Sequence, residues 1–124
     1  MDYKKLADML FPNVTLTKED LEKRYPQRNL KPGAIVTRFA PSPTGFLHIG
    51  SVFTCLVADN FAKKSDGVFI LRIEDTDQNR KVTDGVRLII EGLNRYNVHF
   101  DEGVDVNGND YGNYGTYTQS KRKD

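Results

Sequence analysis

The apolar residues change their spacing three times between residues 34 and 93, and this alternation leaves the chain few architectures. Residues 34–39 form a short apolar and β-branched run, which reads as a strand ended by Pro41, Pro43 and the Gly45 that follows. Ile49, Val52, Phe53, Leu56, Val57 and Phe61 then recur at helical spacing, which predicts an amphipathic helix over residues 48–63 with one apolar face. Gly67 marks a turn, residues 68–73 are again a short strand-like run, and Val86, Ile89, Ile90 and Leu93 return to helical spacing. The order is βαβα. That order favours a parallel sheet with right-handed crossovers, whose ligand crevice lies beyond the carboxyl ends of the strands. The two segments at those ends, residues 41–50 and 74–77, are therefore where function is sought.

Residues 1–33 have a different texture: polar, broken by Pro12, Pro26 and Pro32, with two short helical candidates. The second spans residues 17–24, with Thr17 and Asp20 placed as a capping-box variant. They read as an arm appended to one α/β domain over residues 34–124. Beyond residue 102, four of the ten glycines fall between Gly103 and Gly115, and Tyr111, Tyr114 and Tyr117 lie in the same stretch. This stretch reads as a Gly- and Asn-rich loop without a repeat.

Composition narrows the class rather than naming it. A chain of 124 residues, 38% hydrophobic and 28% charged, suits a single small globular core. A net charge of +1 gives no long-range pull on a polyanion, so RNA binding is not legible from charge. No apolar run approaches the roughly 20 residues that span a bilayer, and no signal-peptide pattern opens the chain, so a cytoplasmic location away from membranes is expected. Cys55 is the only cysteine, which excludes an internal disulfide and a Cys-rich zinc site, and no metal site is assigned. Cys55 and His99 are given packing and solvent roles.

Residues 38–51, RFAPSPTGFLHIGS, form the first unusual segment. Its prolines stiffen the loop, Gly45 and Gly50 let backbone approach a ligand, and His48 falls at the start of the helix. Helix amides and a histidine there can donate hydrogen bonds to oxygens that gain charge as an α-phosphorus is attacked. The same residues also suit a Pro-rich turn with a helix-capping histidine. Arg38 is either a surface cation or, beside so rigid a loop, a two-point clamp for a carboxylate that lysine could not reproduce.

The second segment, LRIEDTDQNR over residues 71–80, places Glu74, Asp75 and Asp77 within four positions of a strand end. Unless solvated, such carboxylates imply a cationic partner: an ammonium group, a metal ion or an arginine. Arg72 and Arg80 could neutralise them within a plain polar loop. Calcium fails on spacing, because Arg80 stands where an EF-hand loop needs glycine and Val86 where it needs glutamate. The start at Asp105, Asn107 and Asn109 fails at Asp110 and Thr116. Asp75-Thr76-Asp77 alone would also fit a metal-binding pair of a sugar transferase.

Together, RFAPSPTGFLHIGS and FILRIEDTDQNR at this separation resemble the glutamyl-tRNA synthetases of the bacterial type. FDEGVDV and YGNYGTYTQSKR continue the resemblance, so that it covers residues 34–123, and the arm is similar to a short extension of some bacterial members. His48-Ile49-Gly50-Ser51 occupies the place of the family's HIGH motif, with Ser51 instead of its second histidine. Ala40-Pro41-Ser42-Pro43-Thr44 replaces the Pro-Glu-Pro element of glutaminyl and archaeal-type glutamyl enzymes.

The resemblance implies the first half of a Rossmann-like, HUP-type class I catalytic domain, and roles residue by residue. Arg38 would hold the side-chain carboxylate of L-glutamate, Ala40 and Ser42 would line its pocket, and Glu74 would take its α-ammonium group. Pro41, Thr44, Gly45 and Ser51 would surround ATP, with His48 and Gly50 as the catalytic pair. Asp75, Asp77 and Tyr117 would shape the place where the 3′ end of tRNA(Glu) arrives. The implied cofactors are ATP as substrate and Mg²⁺, and the parent is expected to act as a monomer. No activated nucleophile is needed, since a carboxylate ionised at pH 7 can attack the α-phosphate directly and release pyrophosphate. The family's Lys-Met-Ser-Lys loop, acceptor-stem insertion and anticodon-binding domain have no counterpart here. The chain is expected to be an inactive piece of a longer enzyme, ending at Asp124 inside a helix. Three rivals share some of these features: a nucleotidylyltransferase of the related HxGH superfamily, the shorter paralogue that glutamylates a tRNA base, and a non-catalytic module that binds ATP or glutamate.

Overall fold

A computed structural model describes residues 2–77 and 82–122. Local sequence accounts for the arm. Helix α1, Tyr3–Leu10, is capped by Asp2, whose side chain accepts from the Lys5 amide at 3.2 Å. Helix α2, Lys18–Arg24, begins with the expected capping box: Thr17 Oγ1 accepts from the Asp20 amide and the Asp20 carboxylate accepts from the Thr17 amide. Neither helix buries a residue.

The α/β part follows the expected order. Strand β1, Val36–Phe39, leads to helix α3, Ile49–Lys64, then strand β2, Val68–Leu71, and helix α4, Gly85–Asn94. The strands pair in parallel, in the register Val36 to Val68 through Phe39 to Leu71. Both are shorter than the apolar runs that carry them, but pairing continues beyond β2: Arg72 donates its amide to Phe39 O, and Ile73 bridges to Thr118. Gly67 is required at the turn into β2, because a Cβ there would lie 1.9 Å from the Ile35 carbonyl oxygen. Phe39, Cys55, Phe69, Leu71, Ile73, Ile89 and Leu93 meet in one core. Burial pushes the Cys55 thiol up to about 12, with Asp59 adding to it, so a packing role fits; His99 is exposed and faces Asn97. Among the described residues, no helix is long and apolar enough to cross a membrane.

Two expectations are corrected. Helix α3 does not have a single apolar face: it buries Val52, Cys55, Asp59 and Ala62, while Ile49 is 78% and Phe53 67% exposed, with Val57 and Phe61 exposed in the same row. The apolar residues form two stripes, and helical spacing alone does not say which one meets the sheet. The stretch after residue 102 is not only a loop. Strands β3, Gly103–Val104, and β4, Asp110–Tyr111, pair antiparallel around a turn in which Asp105 Oδ1 accepts from the Asn107 and Asn109 amides, both at 2.8 Å. The Asp-x-Asn-Gly-Asn run that resembles half a calcium loop is a turn closed by its own carboxylate. A short 3₁₀ turn, Gln119–Lys121, follows; Asp124 lies outside the described residues.

Two ion pairs link the arm to the domain: an exposed one between Lys31 Nζ and Asp66 Oδ2 at 2.8 Å, and a largely buried one made by Arg28. Arg28 makes a two-point ion pair with Glu102, in which Nη2 lies 2.7 Å from Oε2. Its guanidinium also lies over the Tyr114 ring, 3.8 Å from the centroid, and Tyr117 donates its hydroxyl to Glu102 Oε2 at 2.8 Å. The hydrogen bonds from Arg28 hold the Glu102 carboxyl below its ordinary 4.5 despite the opposing effect of burial. A depressed carboxyl contributes stability that is complete above its unfolded-state value and is lost as pH falls through the folded-state value. Glu102→Gln is therefore expected to cost about 1.5–3 kcal/mol at neutral pH. The gap to wild type should be constant above about pH 5.5 and should close as the pH falls below about 4.5, as measured by urea unfolding across pH.

Candidate active site

Strand β1 ends at Phe39, and the chain must then cross to the start of α3 over the top of the sheet. Pro41 and Pro43 are buried, so the loop is anchored as well as stiff. Its carbonyls tie it to both neighbours, since Pro41 O accepts from the Glu74 amide and Pro43 O from the Val82 amide, each at 3.0 Å. Gly45 has φ +146°, a conformation that L side chains rarely adopt.

His48 is the N-cap of α3, as the simpler reading of the segment has it. Its Nδ1 accepts from the Ser51 amide at 3.3 Å, so in the neutral ring the proton sits on Nε2, which lies 3.0 Å from Ser51 Oγ. Both ring nitrogens are thus oriented by the residue that departs from the HIGH pattern. A Cβ on Gly50 would lie 3.1 Å from Cε1 and Nδ1 of His48, so this glycine lets the ring lie against the helix start. Of the first amides of α3, which lack a carbonyl one turn earlier, that of Ser51 is taken by this ring.

At the end of β2 the acidic cluster is resolved by separate partners. Glu74 Oε1 takes Arg72, whose Nε donates at 2.7 Å and whose Nη2 is also bonded to it, and lies 3.7 Å from Arg38 Nη1. Asp75 is buried and accepts from the Ser120 amide at 2.8 Å and the Ser120 hydroxyl at 2.7 Å. Asp77 is partly buried and is itself engaged. Arg80, the other arginine considered as a neutraliser, lies outside the described residues. Burial and the neighbouring Glu102 carboxylate push the Tyr117 hydroxyl up to about 12.

One cleft of about 420 Å³ gathers Ala40, Pro41, Ser42, Thr44, Gly45, His48, Gly50 and Ser51. Arg38 and Glu74 stand next to it, at the ends of adjacent paired strands. Asp75 and Tyr117 are not brought to its wall; their side chains are spent on Ser120 and Glu102. A slightly larger cleft, about 450 Å³ between Pro43, α4 and the turn at Val106–Gly108, contains none of the candidate residues. Arg72 holds Glu74 at the rim and Ser120 holds the buried Asp75. Arg72 was legible as a cation two positions from Glu74, whereas nothing local ties Ser120 to Asp75.

A parallel βαβ unit with a glycine-bearing, helix-capping loop after one strand and an Arg-Glu pair across the two strand ends defines a class I synthetase type of domain. The comparisons agree. Residues 34–124 match the family of class I tRNA synthetases (E and Q), catalytic domain, and the chain belongs to that family. It is 56% identical over 123 residues to the glutamate-tRNA ligase of Acetivibrio thermocellus, covering 98% of this chain and 22% of that protein. The mitochondrial glutamate-tRNA ligase of Schizosaccharomyces pombe is 56% identical over 86 residues, 69% of this chain and 16% of its own length. Among solved structures, the glutamate tRNA ligase of Elizabethkingia meningosepticum in complex with its amino acid superposes with a TM-score of 0.62 at 45% identity, over 71% of this chain and 17% of that one. The chain thus spans about a fifth of the length of the curated relatives it matches.

The position of His48 generates a test that separates site geometry from stability. Gly50→Ala should leave stability within about 1 kcal/mol of wild type, because the gain in helix propensity is offset by loss of the His48 cap. It should also turn the His48 ring and break the Nδ1 contact to Ser51. Thermal unfolding and a crystal structure of the variant check the two halves.

Proposed function

We propose that the full-length parent is a glutamate-tRNA ligase, which activates L-glutamate with ATP and transfers it to the 3′ end of tRNA(Glu), and that this chain carries the amino-acid and α-phosphate half of its active site. One observation carries the reading: Arg38 and Glu74, opposite charges 3.7 Å apart at adjacent strand ends, stand beside a histidine-capped helix start in a chain of this family. A zwitterion with a second carboxylate is complementary to that arrangement. Arg38 would leave its loose contact with Glu74 and close on the side-chain carboxylate, Glu74 would offer Oε2 to the ammonium group, and Ala40 and Ser42 would bound the pocket.

His48 Nε2–H, now facing Ser51 Oγ, would swing to a non-bridging oxygen of the α-phosphate as the glutamate α-carboxylate attacks. Pro41, Thr44, Gly45, Gly50 and Ser51 would form the bed of the nucleotide. Asp75, Asp77 and Tyr117 would serve the tRNA end by fixing the wall behind it, since the Asp75 and Tyr117 side chains are buried. Mg²⁺ would neutralise the phosphates of bound ATP. Among the described residues, no group of three or more His, Cys, Asp or Glu is placed to hold a metal ion, and no step here runs through it.

In the parent, Arg38→Ala is expected to raise the glutamate KM by at least about a hundredfold, because a substrate carboxylate in the pocket loses a charge-assisted partner. An unchanged KM would remove Arg38 from the site. His48→Ala should lower kcat by about two to three orders of magnitude with ATP KM little changed, as expected for a contact strengthened in the transition state. A rise confined to ATP KM would make it a ground-state contact. Glutamate- and tRNA-dependent pyrophosphate exchange by the wild-type parent tests the reading as a whole, and ATP or glutamate binding without turnover would reject it.

A further inference from the structure

We infer that Arg28, in the arm, is a positioning residue for the end of β2, acting through Glu102 and Tyr117. The inference deepens the functional reading above and rests on it for its catalytic consequence. Of the described arm residues before Ala34, only Tyr25, Arg28 and Leu30 are not exposed, and Arg28 pairs with a largely buried carboxylate whereas the Lys31–Asp66 pair lies in solvent. The side chains of Arg28 and Glu102 are 19% and 11% exposed, so this is a largely desolvated pair in which loss of one partner leaves the other stranded.

The pair is closed into a ring of contacts. Glu102 Oε2 accepts from the Tyr117 hydroxyl, which in turn accepts from the Tyr114 amide at 2.9 Å; the Tyr114 ring carries the Arg28 guanidinium, and its own hydroxyl donates to Pro26 O at 2.7 Å. Arm and domain thus share one network.

The two residues that receive this network also hold the backbone that leads into Glu74. Glu102 O accepts from the Leu71 amide at 2.9 Å, and Tyr117 O accepts from the Ile73 amide at 2.8 Å. The intervening Arg72 amide bonds the other way, to Phe39 O, and the Glu74 amide to Pro41 O. Residues 71–74 are therefore pinned alternately from β1 and the loop after it, and from the residues that Arg28 clasps. The family match begins at residue 34, so Glu102 and Tyr117 lie within the shared domain while the counter-charge comes from outside it. Relatives matched over 98–100% of the chain include the arm in the match.

The effect on the substrates should be unequal. Glu74 rides on the clasped segment, whereas the proposed nucleotide bed lies on the β1–α3 loop. Releasing the clasp should therefore weaken glutamate use and spare ATP.

The test uses the full-length parent with Arg28→Met, and with Arg28→Lys, which keeps the charge but loses two-point geometry, should the first variant fold poorly. Hydrogen exchange should speed up by about tenfold or more at the Leu71 and Ile73 amides, with the Val52 amide in α3 unchanged as control. Glutamate KM should rise about tenfold to a hundredfold, with ATP KM unchanged. Removing both charges with Arg28→Met and Glu102→Gln should recover part of the loss, because no charge is then left stranded. Unaltered exchange at Leu71 and Ile73 overturns the clasp. Faster exchange with both KM values unmoved overturns its role in positioning. If the wild-type parent itself shows no glutamate-dependent turnover, the functional reading fails, and the exchange data still decide whether Arg28 fixes residues 71–74.

Discussion

Everything in the site depends on the parallel pairing of Val36–Phe39 with Val68–Leu71. Parallel strands end on the same side, so the loop after Phe39 and the acidic run after Leu71 emerge together. Arg38 and Ile70 are register partners, which puts Glu74 within reach of Arg38 without any designed turn between them. A shift of one residue would turn Arg38 to the opposite face of the sheet and dissolve the pair. The cross-ties continue this logic beyond the last formal pair, with Phe39 and Pro41 accepting the Arg72 and Glu74 amides. The segment that carries Glu74 is thus an extension of the sheet rather than a free loop.

Placing three carboxylates so close together would be costly if they shared one environment. The structure separates them. Glu74 faces two arginines at the rim, and Asp75 turns inward to the Ser120 amide and hydroxyl, while Asp77 is only partly buried. The burial of Asp75 is tolerable because both its oxygens accept hydrogen bonds. This division gives one sequence motif two different duties, a rim charge and an internal brace.

Short-range rules explain what the sequence discloses. The capping box at Thr17 and Asp20 involves residues three apart, and the βαβα order follows from spacing within single elements. Gly45, His48 and Gly50 are legible because loop geometry and helix capping are local. The bond between Arg28 and Glu102 spans 74 residues, and no periodicity predicts it. The buried stripe of α3 cannot be read from spacing for a related reason. Its two apolar rows are equally good in one dimension, and only the sheet beneath it selects Val52, Cys55 and Ala62 over Ile49, Phe53 and Phe61. The β3–β4 hairpin was hidden differently: its strands have two residues each, and the Asp105 turn that joins them shares its residue types with a calcium loop.

Charge balance gives Arg72 a purpose that the pair Arg38–Glu74 alone would not require. Two arginines and one glutamate make a cluster of net charge +1, and free glutamate at neutral pH carries two carboxylates and one ammonium, net −1. With Glu74 and Arg38 alone the site would be neutral, and a bound glutamate would leave an excess negative charge in the space proposed to admit phosphates as well. Arg72 also keeps Glu74 in place when Arg38 departs. Its two-point contact to Oε1 is the firm one, while the 3.7 Å contact from the half-exposed Arg38 is of the kind worth roughly 0–1 kcal/mol. The weak member of the cluster is the one the proposed mechanism asks to move, so Arg38 can be recruited to a ligand carboxylate at little cost while Glu74, the proposed anchor for the ammonium group, stays fixed.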